Sequence, residues 1–178
     1  MEYQDIINFH GHSCPGLAIG YRMSRAAMAA LDAIRACDEE LVAIVENDAC
    51  GVDAVQCVTG CTFGKGNLIF RDYGKQVYSF YSRSTRRGIR IAYHREKIPA
   101  ELHGNRVHLA EYLLGAPDEA ILSVTPIVVD EQEPARIRNS VICPICGEAV
   151  METRLREFNG QLTCIPCAQG DSMATATD

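Results

Sequence analysis

The amino-acid sequence predicts an α+β fold: helices packed on a mostly antiparallel mixed sheet, followed by a small C-terminal four-cysteine zinc ribbon. Three observations carry this. Apolar residues recur at helical spacing between Pro15 and Arg35, whereas residues 76–83 and 89–94 alternate with the two-residue period of strands. Those two runs are separated by a short turn, as in an antiparallel hairpin. Near the end, Cys143-x-x-Cys146 and Cys164-x-x-Cys167 enclose 17 residues, a spacing that suits a four-cysteine zinc site.

The 178 residues divide by composition into an α+β core (1–129), a linker (130–140), the ribbon (141–168) and a disordered tail (169–178). Apolar residues make up 47% and charged residues 22%, enough for the core to bury an interior unaided. No apolar run approaches the roughly 18 residues that cross a bilayer, and residues 1–8 lack the basic start and apolar centre of a signal peptide. The expected location is therefore the cytoplasm, away from membranes. A net charge of −6 argues against a broad basic surface for nucleic acid. Nine cysteines, an odd number with no sign of export, point to metal binding or thiol chemistry rather than a disulfide scaffold.

Residues 9–16, FHGHSCPG, place His10, His12 and Cys14 within five positions. In an extended segment these three side chains share one face, which makes half of a metal site. A single buried cysteine is most simply a small core residue; three aligned donors favour metal. Pro15 suits a first helical turn and Ser13 or Cys14 its cap, so a helix runs from Pro15 to about Arg35 with Cys14 at the positive end of its dipole. Cys37, which closes this pattern, reads as structural.

Leu41–Glu46, LVAIVE, is short and β-branched and predicts a buried strand. Asn47 and Asp48 then supply turn chemistry before a second helix from about Cys50 to Gly60. On that helix Cys50, Cys57 and Cys61 fall within about 40° of one another, a thiol stripe, with core packing beside Val55 and Val58 as the simpler alternative. The turn Thr62–Asn67, TFGKGN, departs from a nucleotide-binding loop in spacing and in having Gly66 where Ser or Thr would bind magnesium. Lys65 is left to present positive potential to a small anionic substrate.

Strands at 76–83 and 89–94 join through Ser84–Gly88, around which Arg83, Arg86, Arg87, Arg90 and Arg95 concentrate charge. A solvated hairpin tip is the simpler reading of these arginines than an anion or RNA grip. A helix follows between Pro99 and Leu114, stopped by Gly115 with Pro117 beyond it, and then a last strand from Ile121 to Val129 whose Pro126 suits an edge.

In the ribbon, Cys143, Cys146, Cys164 and Cys167 offer a tetrahedral thiolate set with no open position, so its zinc is structural. About 28 residues cannot fold alone, and zinc binding, worth on the order of 10 kcal/mol or more, supplies the missing free energy. Between Val141 and Ala168 two arginines stand against three glutamates, which favours contact with protein over a phosphate backbone.

Two resemblances follow from these motifs. FHGHSCPGLAIGYRM (9–23) with CGVDAVQCVTGCTFGKGNL (50–68) resembles the E-subunit family of formylmethanofuran dehydrogenase over roughly residues 5–129. CPICGEAVMETRLREFNGQLTCIPC (143–167) resembles the zinc finger of the DksA/TraR type, without the coiled-coil hairpin of those proteins. The first resemblance implies helices against a mixed sheet, a homodimer, and a link to the molybdenum or tungsten enzyme that interconverts carbon dioxide and formylmethanofuran.

Three functional readings follow. In the first, His10, His12 and Cys14 meet the stripe of Cys50, Cys57 and Cys61 around a second transition metal, zinc, nickel or iron, beside Lys65, in an enzyme or one of its subunits. In the second, the chain is a metal-sensing or transcription-regulatory adaptor acting on a protein partner through its ribbon. The third is thiol exchange between Cys57 and Cys61 near Cys14. No residue pattern identifies a reaction.

Overall fold

The computed structural model describes residues 1–128 and 137–170. The chain forms two compact units that divide after Ala135. Each is described by itself.

The first unit contains, in order, α1 (Tyr3–His10), α2 (Pro15–Leu31), β1 (Leu41–Val45), α3 (Gly51–Thr59), β2 (Leu68–Phe70), β3 (Val77–Ser82), β4 (Arg87–Tyr93), α4 (Arg106–Gly115), α5 (Asp118–Ile121) and β5 (Leu122–Ile127). The strands form one sheet in the order β2-β1-β3-β4-β5, parallel between β1 and β2 and antiparallel elsewhere. This is the mixed, mostly antiparallel sheet that the sequence predicts. Strand β1 has a neighbour on each side and all five of its residues are buried, as its continuous β-branched run requires. Strand β5 lies at an edge, where Pro126, opposite Ile89, costs no ladder bond to a further strand. The core joins the buried stripe of α2 (Ala18, Met23, Ala27, Leu31) to Tyr78, Phe80 and Ile91 of the sheet and Leu113 of α4.

Several elements differ from their predicted bounds. Helix α2 ends at Leu31 rather than Arg35, because Asp32 takes a left-handed conformation (φ 49°) and turns its amide back to the carbonyls of Met28 and Ala29. The helix expected from Pro99 begins only at Arg106, after short 3-10 turns at 95–97 and 100–102; Asn105 Oδ1 caps the amides of Val107 and His108.

Helix α1 and strand β2 have no counterpart in the sequence-based prediction. Helix α1 starts in a capping box between Glu2 and Asp5 and closes at Gly11 (φ 97°), which bonds back to Ile7. Its consequence is functional: His10 is the last residue of a helix, so the extended segment expected to align His10, His12 and Cys14 does not exist.

The second unit is two hairpins and a short helix: β6 (Ser140–Ile142) with β7 (Ala149–Met151), β8 (Leu155–Phe158) with β9 (Gln161–Cys164), and α6 (Ile165–Gln169). Asn159 and Gly160, both at positive φ, make the tight β8–β9 turn. Residues 130–136 of the expected linker and 171–178 of the expected tail lie outside the described residues. No helix among the described residues is long and apolar enough to cross a membrane.

Candidate metal centres

The first centre is built by two helix N-termini brought unusually close. Gly16 and Gly20 lie four residues apart on one face of α2 and meet the start of α3, Gly16 at Cys50 and Gly20 at Gly51. A Cβ on Gly20 would overlap the backbone of Gly51, and one on Gly51 would lie 2.6 Å from the Tyr78 hydroxyl. Without side chains at these points the helices touch backbone to backbone. The N-caps of α2 and α3 are Cys14 and Cys50, so the contact sets two thiols side by side.

The third donor comes from the end of α1. His10 Nδ1 lies 2.6 Å from Asp53 Oδ2 in the first turn of α3, and Gln56 Nε2 donates to the other Asp53 oxygen at 3.5 Å. A carboxylate at that position accepts a hydrogen bond from Nδ1–H and leaves the lone pair on Nε2. Nε2 is buried and has no hydrogen-bond partner among the described residues. The ligand atoms of His10, Cys14 and Cys50 all lie within 4.8 Å of one another. An unsatisfied buried imidazole nitrogen beside two thiols fits a soft-to-borderline divalent ion. Cys14 Sγ accepts from the Leu17 amide at 3.3 Å. Burial, together with the neighbouring Cys14, raises the Cys50 thiol above its ordinary value, so a metal at this site displaces a proton.

The other candidates fall elsewhere. His12 is exposed, with its ring centroid 4.6 Å from that of His10, and is not one of the three clustered donors. The thiol stripe is broken because Gly60, in the left-handed region (φ 74°), ends α3 before Cys61. Cys61 is fully buried, donates to the Leu41 carbonyl at 3.2 Å, and is pushed up to about 11 by burial. Cys57 is half-buried, its thiol raised first by burial and then by Asp53. Lys65 does not line the cleft beside the centre; its Nζ donates to the carbonyls of Ala36 (3.3 Å), Cys37 (3.4 Å) and Asp38 (3.1 Å) and ties the glycine-rich turn to the segment before β1. Asp53 was missing from the sequence-based set. Its position three residues after Cys50, in a first helical turn, was the available signal.

The cleft holds about 450 Å3 and is lined by polar residues, His10, Cys50, Asp48 and Asp53, and by apolar ones, Phe63 and Phe70 among others. Replacing Asp53 with Asn should weaken core-metal affinity about 10- to 100-fold without unfolding the chain, read by competition with a chelator of known affinity. Unchanged affinity would remove Asp53 from the site.

In the second unit the sulfurs of Cys143, Cys146, Cys164 and Cys167 also lie within 4.8 Å of one another. Amides of Cys164 and Cys146 bring Cys143 down to about 6, whereas hydrogen bonding to the neighbouring cysteines, Cys164 first, pushes Cys167 up to about 12. Four crowded thiols that cannot all ionise together are relieved by one dication, which is the donor chemistry of structural zinc.

Both units have counterparts among known proteins. Residues 9–122 match the family described as FmdE, molybdenum formylmethanofuran dehydrogenase operon, and residues 136–172 match the prokaryotic dksA/traR C4-type zinc finger. A probable S-adenosyl-L-methionine-binding protein of Archaeoglobus fulgidus is 32% identical over 189 residues, which cover 90% of this chain; the chain spans about half the length of that relative. A crystal structure of a tungsten formylmethanofuran dehydrogenase FmdE-like protein from Syntrophus aciditrophicus is similar with a TM-score of 0.69 and 27% identity, covering 97% of this chain and 95% of that one.

Proposed function

This chain belongs to the FmdE family, and we propose that it carries an exchangeable transition metal on His10, Cys14 and Cys50 as a subunit or accessory of a molybdenum or tungsten enzyme of one-carbon metabolism. The observation that carries this reading is the buried, unpartnered His10 Nε2 within 4.8 Å of two thiols, with Asp53 on the opposite ring nitrogen. Three protein donors leave a tetrahedral ion one position short, which separates this centre from the closed four-thiol ribbon. Imidazole with two thiolates suits zinc, nickel or iron, and such an ion would supply a Lewis acid beside the cleft. Asp53 holds the His10 ring and its tautomer, and the Leu17 amide holds the Cys14 sulfur. The tungsten-enzyme resemblance of the crystallised relative supports the one-carbon context. S-adenosyl-L-methionine binding is not carried over, because it names a relative about twice as long.

Elemental analysis of chain purified without chelator tests the reading. The expected content is two metals per chain, falling to one per chain, the ribbon's zinc, in Cys14→Ala. Equal content in both proteins would overturn the core centre.

One observation favours a second reading, the adaptor. The ribbon exposes Ile142 (63%), Ile145 (54%) and Leu162 (58%) around a metal set that has no catalytic position, a surface suited to contact with protein. The proposal also includes a homodimer, as the family resemblance implies, and a cytoplasmic location, as the sequence pattern suggests.

A further inference from the structure

The arginines around the β3–β4 hairpin do not share one environment. Arg83 Nε donates to the Glu39 carbonyl at 2.9 Å and Arg90 pairs with Glu46 at 3.4 Å, so both serve the fold. Arg87 places one N–H of its fork on the Ala30 carbonyl at 2.8 Å, near the end of α2, and Arg86 is exposed and makes no hydrogen bond or ion pair among the described residues. These last two line a second cleft, of about 480 Å3, together with Tyr81, Ile89, Pro126 and Ile127. Among the described residues that line it there is no Asp or Glu, so its local field is positive in a chain of net charge −6.

Tyr81 supplies a second, independent sign of a ligand. In the sheet register it stands opposite Gly88 of β4, which stands opposite Ile127 of β5, and Gly88 contributes no side chain between them. Tyr81 is only 4% exposed, yet its hydroxyl makes no hydrogen bond among the described residues. Buried hydroxyls are nearly always paired, so a phenol that lines a cleft without a protein partner finds its partner in what enters the cleft. Arg86 adds to this. Its φ of 55° lies in the left-handed region that Gly or Asn adopts more readily, and the turn carries a guanidinium there instead.

We propose that this second cleft binds a small organic acid, a carboxylate carried on a short apolar body. The Arg86 guanidinium and the remaining N–H groups of Arg87 pair with the carboxylate, whose two oxygens match the planar fork of an arginine. The Tyr81 hydroxyl donates to the same head, and the body covers Pro126 and Ile127. This apolar share of the wall favours an anion with a hydrocarbon body over inorganic phosphate. The site is separate from the core centre: none of its lining residues lines the first cleft or belongs to either set of metal donors.

Titration of the full chain with hexanoate, acetate, hexylamine and inorganic phosphate, followed by amide chemical shifts, tests it. Hexanoate is expected to bind about tenfold or more tighter than each of the other three, and to shift the amides of residues 81–88 and 127–128. Arg86→Gln, at an exposed turn, should weaken hexanoate about tenfold while leaving the rest of the amide spectrum in place, and Tyr81→Phe should weaken it about threefold. Acetate, hexylamine or phosphate binding as tightly as hexanoate, or an affinity unmoved by Arg86→Gln, overturns the proposal. Hexanoate binding that is lost in Cys14→Ala also overturns it, because a carboxylate held by the core metal would behave in that way.

Discussion

Replacing Cys164 with serine is expected to unfold residues 137–170 as a unit and to remove one zinc per chain, while the core keeps its fold and its own metal. The size of the effect follows from what the ribbon buries. Among its described residues only Cys143, Thr163 and Cys164 are buried, and two of these are metal donors. Of its larger apolar side chains, Ile142, Ile145, Met151, Phe158 and Leu162 are exposed and Leu155 and Ile165 are only half-buried. Ordering each backbone residue costs about 1–2 kcal/mol, and the two short hairpins have almost no apolar interior to offset it. Zinc on four thiolates contributes about 10–16 kcal/mol in comparable small domains, so losing one donor removes most of the folding free energy of this unit. Zinc content and amide hydrogen exchange check it together. Protection of the β6–β7 and β8–β9 amides that survives in Cys164→Ser, or in chelator-stripped wild type, would show that the ribbon folds without its ion.

The ribbon was the most legible part of the chain because its ligand set is written in local spacing: two knuckles, each complete within four residues. In the core, β1, β3 and β4 were also legible, since period and β-branching report burial directly. What escaped was short or long-range. Helix α1 has eight residues and buries only Ile6, too little for a hydrophobic period to register. The geometry of His10 was therefore read as extended when it is helical. The three clustered donors all stood among the candidates, but choosing Cys50 over Cys57 and Cys61 required knowing where α3 begins and ends. Cys50 caps it and Gly60 terminates it, so the assumed stripe spans more chain than the helix does. Asp53 acts on a residue 43 positions away, a pairing that no local pattern states. Lys65 shows the same limit: a lysine among glycines suggests an anion, but the nearest acceptors are main-chain carbonyls across a loop.

Gly20→Ala should cost the core about 3 kcal/mol or more and should abolish core-metal binding while sparing the ribbon's zinc. Within an ordinary helix this substitution stabilises by about 0.5–1 kcal/mol through propensity. Here the added methyl meets the carbonyl oxygen, Cα and carbonyl carbon of Gly51, which are backbone and have no rotamer to yield. Relief requires α2 and α3 to separate, and overpacking of this kind costs about 1–3 kcal/mol even where side chains can give. Separation also parts Cys14 from Cys50, since each caps one of the two helices, so stability and metal affinity should fall together. Gly104→Ala is the control: open space surrounds its Cβ position, and the change should stay within about 0.5 kcal/mol of wild type. Urea denaturation and the absorption of cobalt added to the core site, with zinc kept in the ribbon, measure the two effects. A Gly20→Ala protein as stable as wild type would mean that the helices are not in backbone contact. One that is destabilised yet binds cobalt normally would break the link between the glycine contact and the paired thiols.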